Sequence, residues 1–481
     1  MTSLARLVFP SLRWREKGGF EHERAKIDGA LATGVGGFIV FGGDRESVVN
    51  LTRDLRRQAG RRLLIGADLE RGPGQQVVGL TELPPPAALG HLDDVETTRL
   101  AGLITGTEAK AAGINWVFAP VCDLDNEPRN PIVQTRSFGA DPSRVSEHVA
   151  AWITACQEHG AMACAKHYPG HGRTTQDSHA VLPRVDASFD ELARSDLVPF
   201  GAAVKAGVAS VMSAFVSYPG WDSSAAAAGF SPTILGYLRQ ELGFAGLVVT
   251  DALIMAGATA RESEGPATAT AVAAGCDALL YPQDYAAVVA ALDSATGRAL
   301  RTARADAALA LYDAAVSRWD GGADQGEPDW RSHAQAADQI ADRVVTLLRG
   351  AAPALRPPCI VSIVDDDVGG PYTVGPRDVY HHTLAAAGVS ILRTADSRSH
   401  GSRIVLVYAE PRSWKGRAEL GSRSLQQLAH LLPKADLVIL LGHPRLAGQI
   451  SGYAPIVCCW HGQPLMQRAA ARWSLQRMEP R

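Results

Sequence analysis

Three histidines, a lysine and an aspartate fall within one short stretch, Lys166-His167-Tyr168-Pro169-Gly170-His171-Gly172-Arg173-Thr174-Thr175-Gln176-Asp177-Ser178-His179. Three chemistries are open to it. His167 and His171 are four apart, the spacing of a zinc-binding pair on one helical face, but Pro169-Gly170 between them opposes the helix such a pair needs. Lys166 could act as a desolvated amine that forms a Schiff base, which leaves Asp177, His179 and Asp251 without roles. His179 could serve as a general acid and base, with Asp177 fixing its tautomer and raising its basicity.

The stretch follows a short apolar run, residues 161–165, of the kind that fills a buried strand, and then breaks into Pro and Gly. Comparable runs recur at 5–9, 37–41, 63–68, 115–119, 161–166, 209–213, 247–251 and 276–280. Near-continuous apolar runs suit strands covered on both faces, and the spacers between them are long enough for crossover helices. Repeated βα units of this kind predict a (β/α)8 TIM-type barrel, whose chemistry sits at the carboxyl ends of the strands. Asp68, Lys166 with His167, and Asp251 close three of these runs. One such carboxylate could simply cap the following helix, but their convergence points to a site.

The chain has 481 residues, too many for one ordinary core, and two domains are expected. The catalytic barrel is placed at 1–318, a linker rich in Gly, Asp and Pro at 319–332, and a smaller α/β sandwich domain at 333–481. A helix over 332–349 is expected to open the second domain. Strands near 359–364, 390–392, 404–408, 437–441 and 455–460 follow, with helices over 424–432 and 465–473. No GxGxxG follows a strand and no GxxxxGK[ST] occurs, so no nucleotide motif is present.

A net charge of -3 and 20% charged residues supply no whole-chain electrostatic reason to bind nucleic acid or membrane. The apolar patch near the N-terminus is interrupted by Arg6, Pro10 and Arg13, which reads as a cytoplasmic protein rather than a secretory h-region. Seven cysteines without a CxxC pair read as buried reduced thiols.

Residues 166–172, followed by Asp177-Ser178-His179 and Leu182-Pro183, resemble the signature of the bacterial β-N-acetylglucosaminidases of glycoside hydrolase family 3. Gly36-Gly37-Phe38-Ile39-Val40-Phe41, residues 115–120, Thr135-Arg136-Ser137-Phe138-Gly139 and Thr250-Asp251-Ala252-Leu253-Ile254-Met255 agree with it. The resemblance covers most of the first 300 residues and implies the same barrel, followed in longer members by an α/β sandwich. Carried over by position, it implies Asp251 as nucleophile, His179 as acid/base and Asp177 as its partner. It further implies that Asp68, Arg136, Lys166 and His167 bind the hydroxyl groups of a terminal sugar. The implied reaction is retaining hydrolysis of a terminal β-linked N-acetylglucosamine, as found in cell-wall fragments, with no metal or organic cofactor. A β-glucosidase, a phosphorylase of the same family, or a sugar-binding protein with a decayed site are the alternatives. Two departures from the pattern fall near the expected sugar pocket. Residues 68–76 lack the commoner pair of consecutive glycines and later Arg, and Phe215 stands where a His is common.

Overall fold

The computed structural model describes residues 4–260, 263–294, 303–320, 326–370, 374–392 and 401–479. Part of the expected linker, 321–325, lies outside the described residues. The chain divides into two compact units. One comprises Met1–Glu82, Asp94–Glu127 and Ser137–Trp330, the other Leu83–Asp93, Pro128–Arg136 and Arg331–Arg481.

In the first unit the strands are β1 (Val8–Phe9), β2 (Ser11–Arg13), β3 (Gly37–Phe41), β4 (Leu64–Ala67), β5 (Trp116–Val117), β6 (Met162–Tyr168), β7 (Ser210–Ser213), β8 (Leu247–Thr250) and β9 (Leu279–Leu280). Strands β2 to β8 form one parallel sheet in sequence order. β9 pairs in parallel with β1, and Val249 bridges Ala278, so the sheet curls back towards its first strand. Residues Val8 to Phe9 and Ser11 to Arg13 are one run of chain interrupted at Pro10. Proline has no N–H for the ladder, yet its carbonyl still accepts from Ile39 N at 3.0 Å. The expected strand at 5–9 therefore begins late: Leu4–Leu7 form a 3-10 turn, and pairing continues past the proline.

Helices lie between the strands. Several are started by an aspartate whose carboxylate accepts a first-turn N–H, as Asp44 does from Ser47 N at 2.8 Å. The helices Val95–Ala111 and Pro142–Glu158 pack where Gly102 and Gly106 lie one turn apart. A Cβ at either position would run into the backbone of Trp152 or Cys156.

The second unit holds β10 (Thr346–Arg349), β11 (Cys359–Asp365), β12 (Ile391–Leu392), β13 (Arg403–Ala409), β14 (Leu437–Gly442) and β15 (Ile456–Cys458). Their order is β10-β15-β14-β13-β11-β12, parallel except for β10, which runs antiparallel to β15. Val405, Val407, Val438, Leu440 and Ile456 fill one core here, with Leu428 of the helix Ser422–Leu431. The helix expected over 332–349 runs as Trp330–Val344 and stops there, and Thr346–Arg349 forms the sheet edge instead. β-Branched Thr346 and the free edge of β15 together outweigh continued helix, as tertiary pairing often does over local propensity. Two short segments from the first part of the chain join this unit. Gln463 Nε2 donates to Leu83 O at 2.7 Å, and the His91 and Trp460 rings meet at 5.1 Å.

Candidate active site

The site is built at the carboxyl ends of β4, β5, β6 and β8. β6 is buried along its whole length, with Ala163, Cys164 and Ala165 small enough to fit inside the curled sheet. Its pairing with β7 skips a residue at His167, the kind of irregularity that re-aims side chains at the end of a strand. Lys166 Nζ lies 2.7 Å from both Asp68 Oδ1 and Glu70 Oε1. Lys166 and Glu70 are buried, whereas the Asp68 side chain keeps 32% of its surface exposed. This is the geometry of a charge-paired ammonium, not of an amine set apart for Schiff-base chemistry.

His167 turns towards a different carboxylate. Its Nδ1 is 2.7 Å from Asp123 Oδ2, and its backbone N–H donates to Asp123 Oδ1 at 3.1 Å. The His171 N–H donates to the same Oδ1 at 2.7 Å. The two rings stand edge to face, 6.1 Å apart, rather than converging on one point as a metal pair would. Among the described residues no group of three or more His, Cys, Asp and Glu is arranged to hold a metal ion. Burial works to raise the Asp123 carboxyl, but the two imidazoles and the His171 N–H hold it below the ordinary carboxylate range. Burial pushes His171 down to about 4, so its ring is neutral at neutral pH.

Beyond these residues the chain runs over to His179. Asp177 Oδ1 accepts from His179 N at 3.0 Å and meets His179 Nδ1 at 2.7 Å. The Asp177 side chain is 1% exposed and its ring partner 41%. The ring is therefore held at Nδ1 while part of the side chain stays exposed. Main-chain bonds tie this part of the loop to the segment after β8: Gly257 N donates to Ser178 O at 3.1 Å and Ala256 N to His179 O at 3.3 Å. Asp251, at the start of that segment, donates its N–H to Ser213 O at 3.2 Å and accepts from Ala252 N at 2.7 Å. Burial pushes the Cys164 thiol up to about 12. Lys166 opposes that shift while Asp68 and Asp251 add to it.

Asp68, Lys166, His167, Asp177, His179 and Asp251 thus share the carboxyl ends of neighbouring strands and the loops tied to them. Arg136 closes the short helix Gln134–Arg136, in a segment grouped with the second unit, and its Nη1 donates to Ile132 O at 3.1 Å. Phe215 is buried and packs 5.2 Å from Phe230, so it serves the core. Beside Arg173 a polar cleft of about 540 Å³ opens, lined also by Asn126, Glu127, Arg184, Asp186 and Glu191. Sequence reasoning passed over Glu70 and Asp123. Both follow apolar runs that end strands, the same signal that singled out Asp68 and Asp251.

The family model of the glycosyl hydrolase family 3 N-terminal domain matches residues 15–310. This chain belongs to glycosyl hydrolase family 3. As a family 3 enzyme it is a glycoside hydrolase acting on O-glycosyl bonds, and its substrate is a carbohydrate. It is 38% identical, over 286 residues, to a β-hexosaminidase of Chromobacterium violaceum, a match covering 56% of this chain and 78% of that one. Its fold is similar to that of a family 3 β-N-acetylglucosaminidase from Paenibacillus sp. str. FPU-7, with a TM-score of 0.85 at 25% identity, over 99% of this chain and 96% of the other. A β-glucoside phosphorylase, BglX, shares the fold with a TM-score of 0.83 at 20% identity, over 99% of this chain and 93% of that one. All seven cysteines of this family 3 chain are buried free thiols. No helix among its described residues is long and apolar enough to cross a membrane.

Proposed function

We propose that this glycoside hydrolase removes terminal β-linked N-acetylglucosamine with retention, by double displacement on Asp251. The Asp177–His179 pair carries the reading, because it combines a buried carboxylate with a reachable imidazole held at Nδ1. In the first step the Asp251 carboxylate attacks the anomeric carbon as the bond to the departing oxygen breaks. His179, as imidazolium, passes its Nε2 proton to that oxygen. In the second step neutral His179 takes a proton from water, whose oxygen attacks the anomeric carbon and releases Asp251. Asp177 keeps the ring in one orientation through both transfers and stabilises its cationic form. Its other oxygen, Oδ2, is buried with no hydrogen-bond partner among the described residues.

Asp68, Lys166 and His167 hold the hydroxyl groups of the sugar. The Asp68 carboxylate accepts from a hydroxyl while Lys166 and Glu70 keep it in place. No metal or organic cofactor takes part. We read β1 to β9, with the β1–β9 pairing and the Val249–Ala278 bridge, as a closed (β/α)8 barrel spanning 1–318, and 333–481 as an α/β sandwich domain. The similarity to named β-hexosaminidases favours the 2-acetamido sugar.

The test is His179→Ala. Natural glycosides, whose leaving oxygen needs a proton, should slow on the order of 10²–10⁴-fold, whereas a dinitrophenyl glycoside should still glycosylate the enzyme rapidly. Release of dinitrophenol should begin with a burst, and azide should speed the slow phase that follows and yield the β-glycosyl azide. Equal losses for both leaving groups without azide rescue would remove His179 from the role.

A second reading replaces water with phosphate. An imidazole acid/base does not repel an incoming anion as a second carboxylate would, and the BglX phosphorylase shares the fold. Formation of a sugar 1-phosphate when phosphate is added decides between the two.

A further inference from the structure

His171 is buried, binds no metal among the described residues, and has no part in the reaction as written above. Its surroundings nevertheless connect the two halves of the site. Its Nε2 is 2.8 Å from Ser178 Oγ, and Ser178 is the residue between Asp177 and His179. Its Nδ1 is 2.8 Å from Thr174 Oγ1, and Thr174 also donates to His171 O at 3.1 Å. With the single Thr174 hydroxyl proton on that carbonyl, Nδ1–H donates to Thr174 and the Ser178 hydroxyl donates to Nε2. A neutral ring satisfies both contacts this way, in keeping with the depressed basicity of this buried group. The His171 backbone N–H is fixed to the Asp123 oxygen that also receives the His167 N–H. Gly172 lets the chain at Leu124 come so near that a Cβ there would meet Leu124 O, so the ring sits on a rigid turn.

Building on the proposed function, we propose that His171 is a positioning residue for the acid/base loop, and that Asp123 is the anchor common to sugar binding and proton transfer. Asp123 orients His167 directly. Through His171 and Ser178 it also sets where Asp177 and His179 stand. Loss of the two anchors therefore has different consequences. Removing the His171–Ser178 link loosens proton transfer and leaves the sugar contacts in place. Removing the Asp123 charge disturbs both.

The test compares Ser178→Ala, His171→Phe, His171→Gln and Asp123→Asn in the full chain, with His179→Ala as reference. For Ser178→Ala and His171→Phe, kcat/KM on a natural glycoside should fall on the order of 10–10²-fold. Glycosylation by a dinitrophenyl glycoside and inhibition by free N-acetylglucosamine should stay at wild-type values. His171→Gln can still accept from Ser178 and should recover part of the loss. Asp123→Asn should weaken N-acetylglucosamine binding as well. Melting temperatures monitor folding, and if His171→Phe does not fold, Ser178→Ala, which removes one hydroxyl, carries the test alone. Losses in Ser178→Ala equal for both leaving groups, or no loss at all, would overturn the proposal. If His179→Ala itself shows no dependence on the leaving group, the proposed function fails rather than this inference.

Discussion

Each unit of this molecule gathers buried charge at the carboxyl ends of parallel strands, but the two clusters are balanced differently. In the second unit Asp365, Asp366, Asp367 and Glu410 follow β11 and β13, where the strand order reverses and where open α/β sheets commonly bind ligands. Four cations answer them. Arg377 pairs with Asp365 at 2.9 Å and Asp367 at 3.0 Å, Lys415 with Asp366 at 2.9 Å and Asp367 at 3.1 Å, Arg412 with Glu410 at 3.0 Å, and Arg417 with Asp366 at 2.7 Å. The charges cancel within the network. In the first unit Asp68, Glu70, Asp123, Asp177 and Asp251 surround one lysine and three imidazoles, and both Asp68 and His179 remain reachable. Among these named groups the carboxylates outnumber the one lysine. Under the proposed function, sugar hydroxyls would donate to them and a developing oxocarbenium charge would be balanced by them. Buried charge alone thus does not mark an active site; under the proposed function the mark is a charge left for the substrate to complete.

The largest effect that sharpens this contrast is on the proposed nucleophile. Asp251→Ala should lower turnover of every aryl β-N-acetylglucosaminide by at least about 10⁴-fold, read as initial rates, because no covalent intermediate can form. Substantial residual turnover would remove Asp251 from that role.

Lys166→Met comes next. It leaves Asp68 and Glu70 facing each other without their cation, and breaking a buried pair in this way costs on the order of 3–5 kcal/mol. Denaturant unfolding should show that loss, and KM should rise because Asp68 is no longer held for the sugar. A change in kcat alone would break the assignment of Lys166 to binding.

Arg377→Met makes the corresponding cut in the second unit, taking from Asp365 its arginine and leaving Asp367 with Lys415. It should cost up to a similar amount, about 3 kcal/mol, while kcat/KM of the folded enzyme stays unchanged. A raised KM would show that the second cluster belongs to the site after all.

The smallest effect is in the pH dependence of stability, where the clusters have partly opposite signs. An unfolded histidine takes up its proton near pH 6.5, whereas His171 resists protonation down to about 4. Stability from this group is therefore lost as the pH falls through that window, and His171→Phe should flatten the acid arm of a melting-temperature profile. In the second unit, burial and the Glu410 carboxylate push Asp367 up to about 6. The folded state holds that proton where the unfolded chain, ionising near 3.9, does not, so stability falls as the pH rises between those values. Asp367→Asn should remove that decline. Asp366, brought down to about 2 against its burial by Arg417, Lys415 and Ser424, adds loss only in stronger acid.

What could be read from the sequence shares one property: it depends on neighbours in the chain. The two members of the Asp177–His179 pair lie two positions apart, and their hydrogen bonds close within the loop that encodes them. The apolar runs of β3, β6, β8, β11, β13 and β14 are legible because a strand covered on both faces admits little else. The helices Ser422–Leu431 and Pro464–Leu475 lie within two residues of where their patterns place them. Where a partner comes from far along the chain, sequence alone does not choose it. Lys166 could have served several carboxylates, and only the order of β4, β5 and β6 sets Asp68 and Glu70 against it and reserves Asp123 for the histidines. The same holds for Thr346–Arg349, whose residues tolerate helix or strand until β15 offers an unpaired edge. It holds also for Leu83–Asp93 and Pro128–Arg136, which lie in sequence between segments of the first unit yet group with the second. Local hydrogen bonds and periodicity are properties of a segment, but the pairing of buried charges and sheet edges is decided by which segments the topology brings side by side.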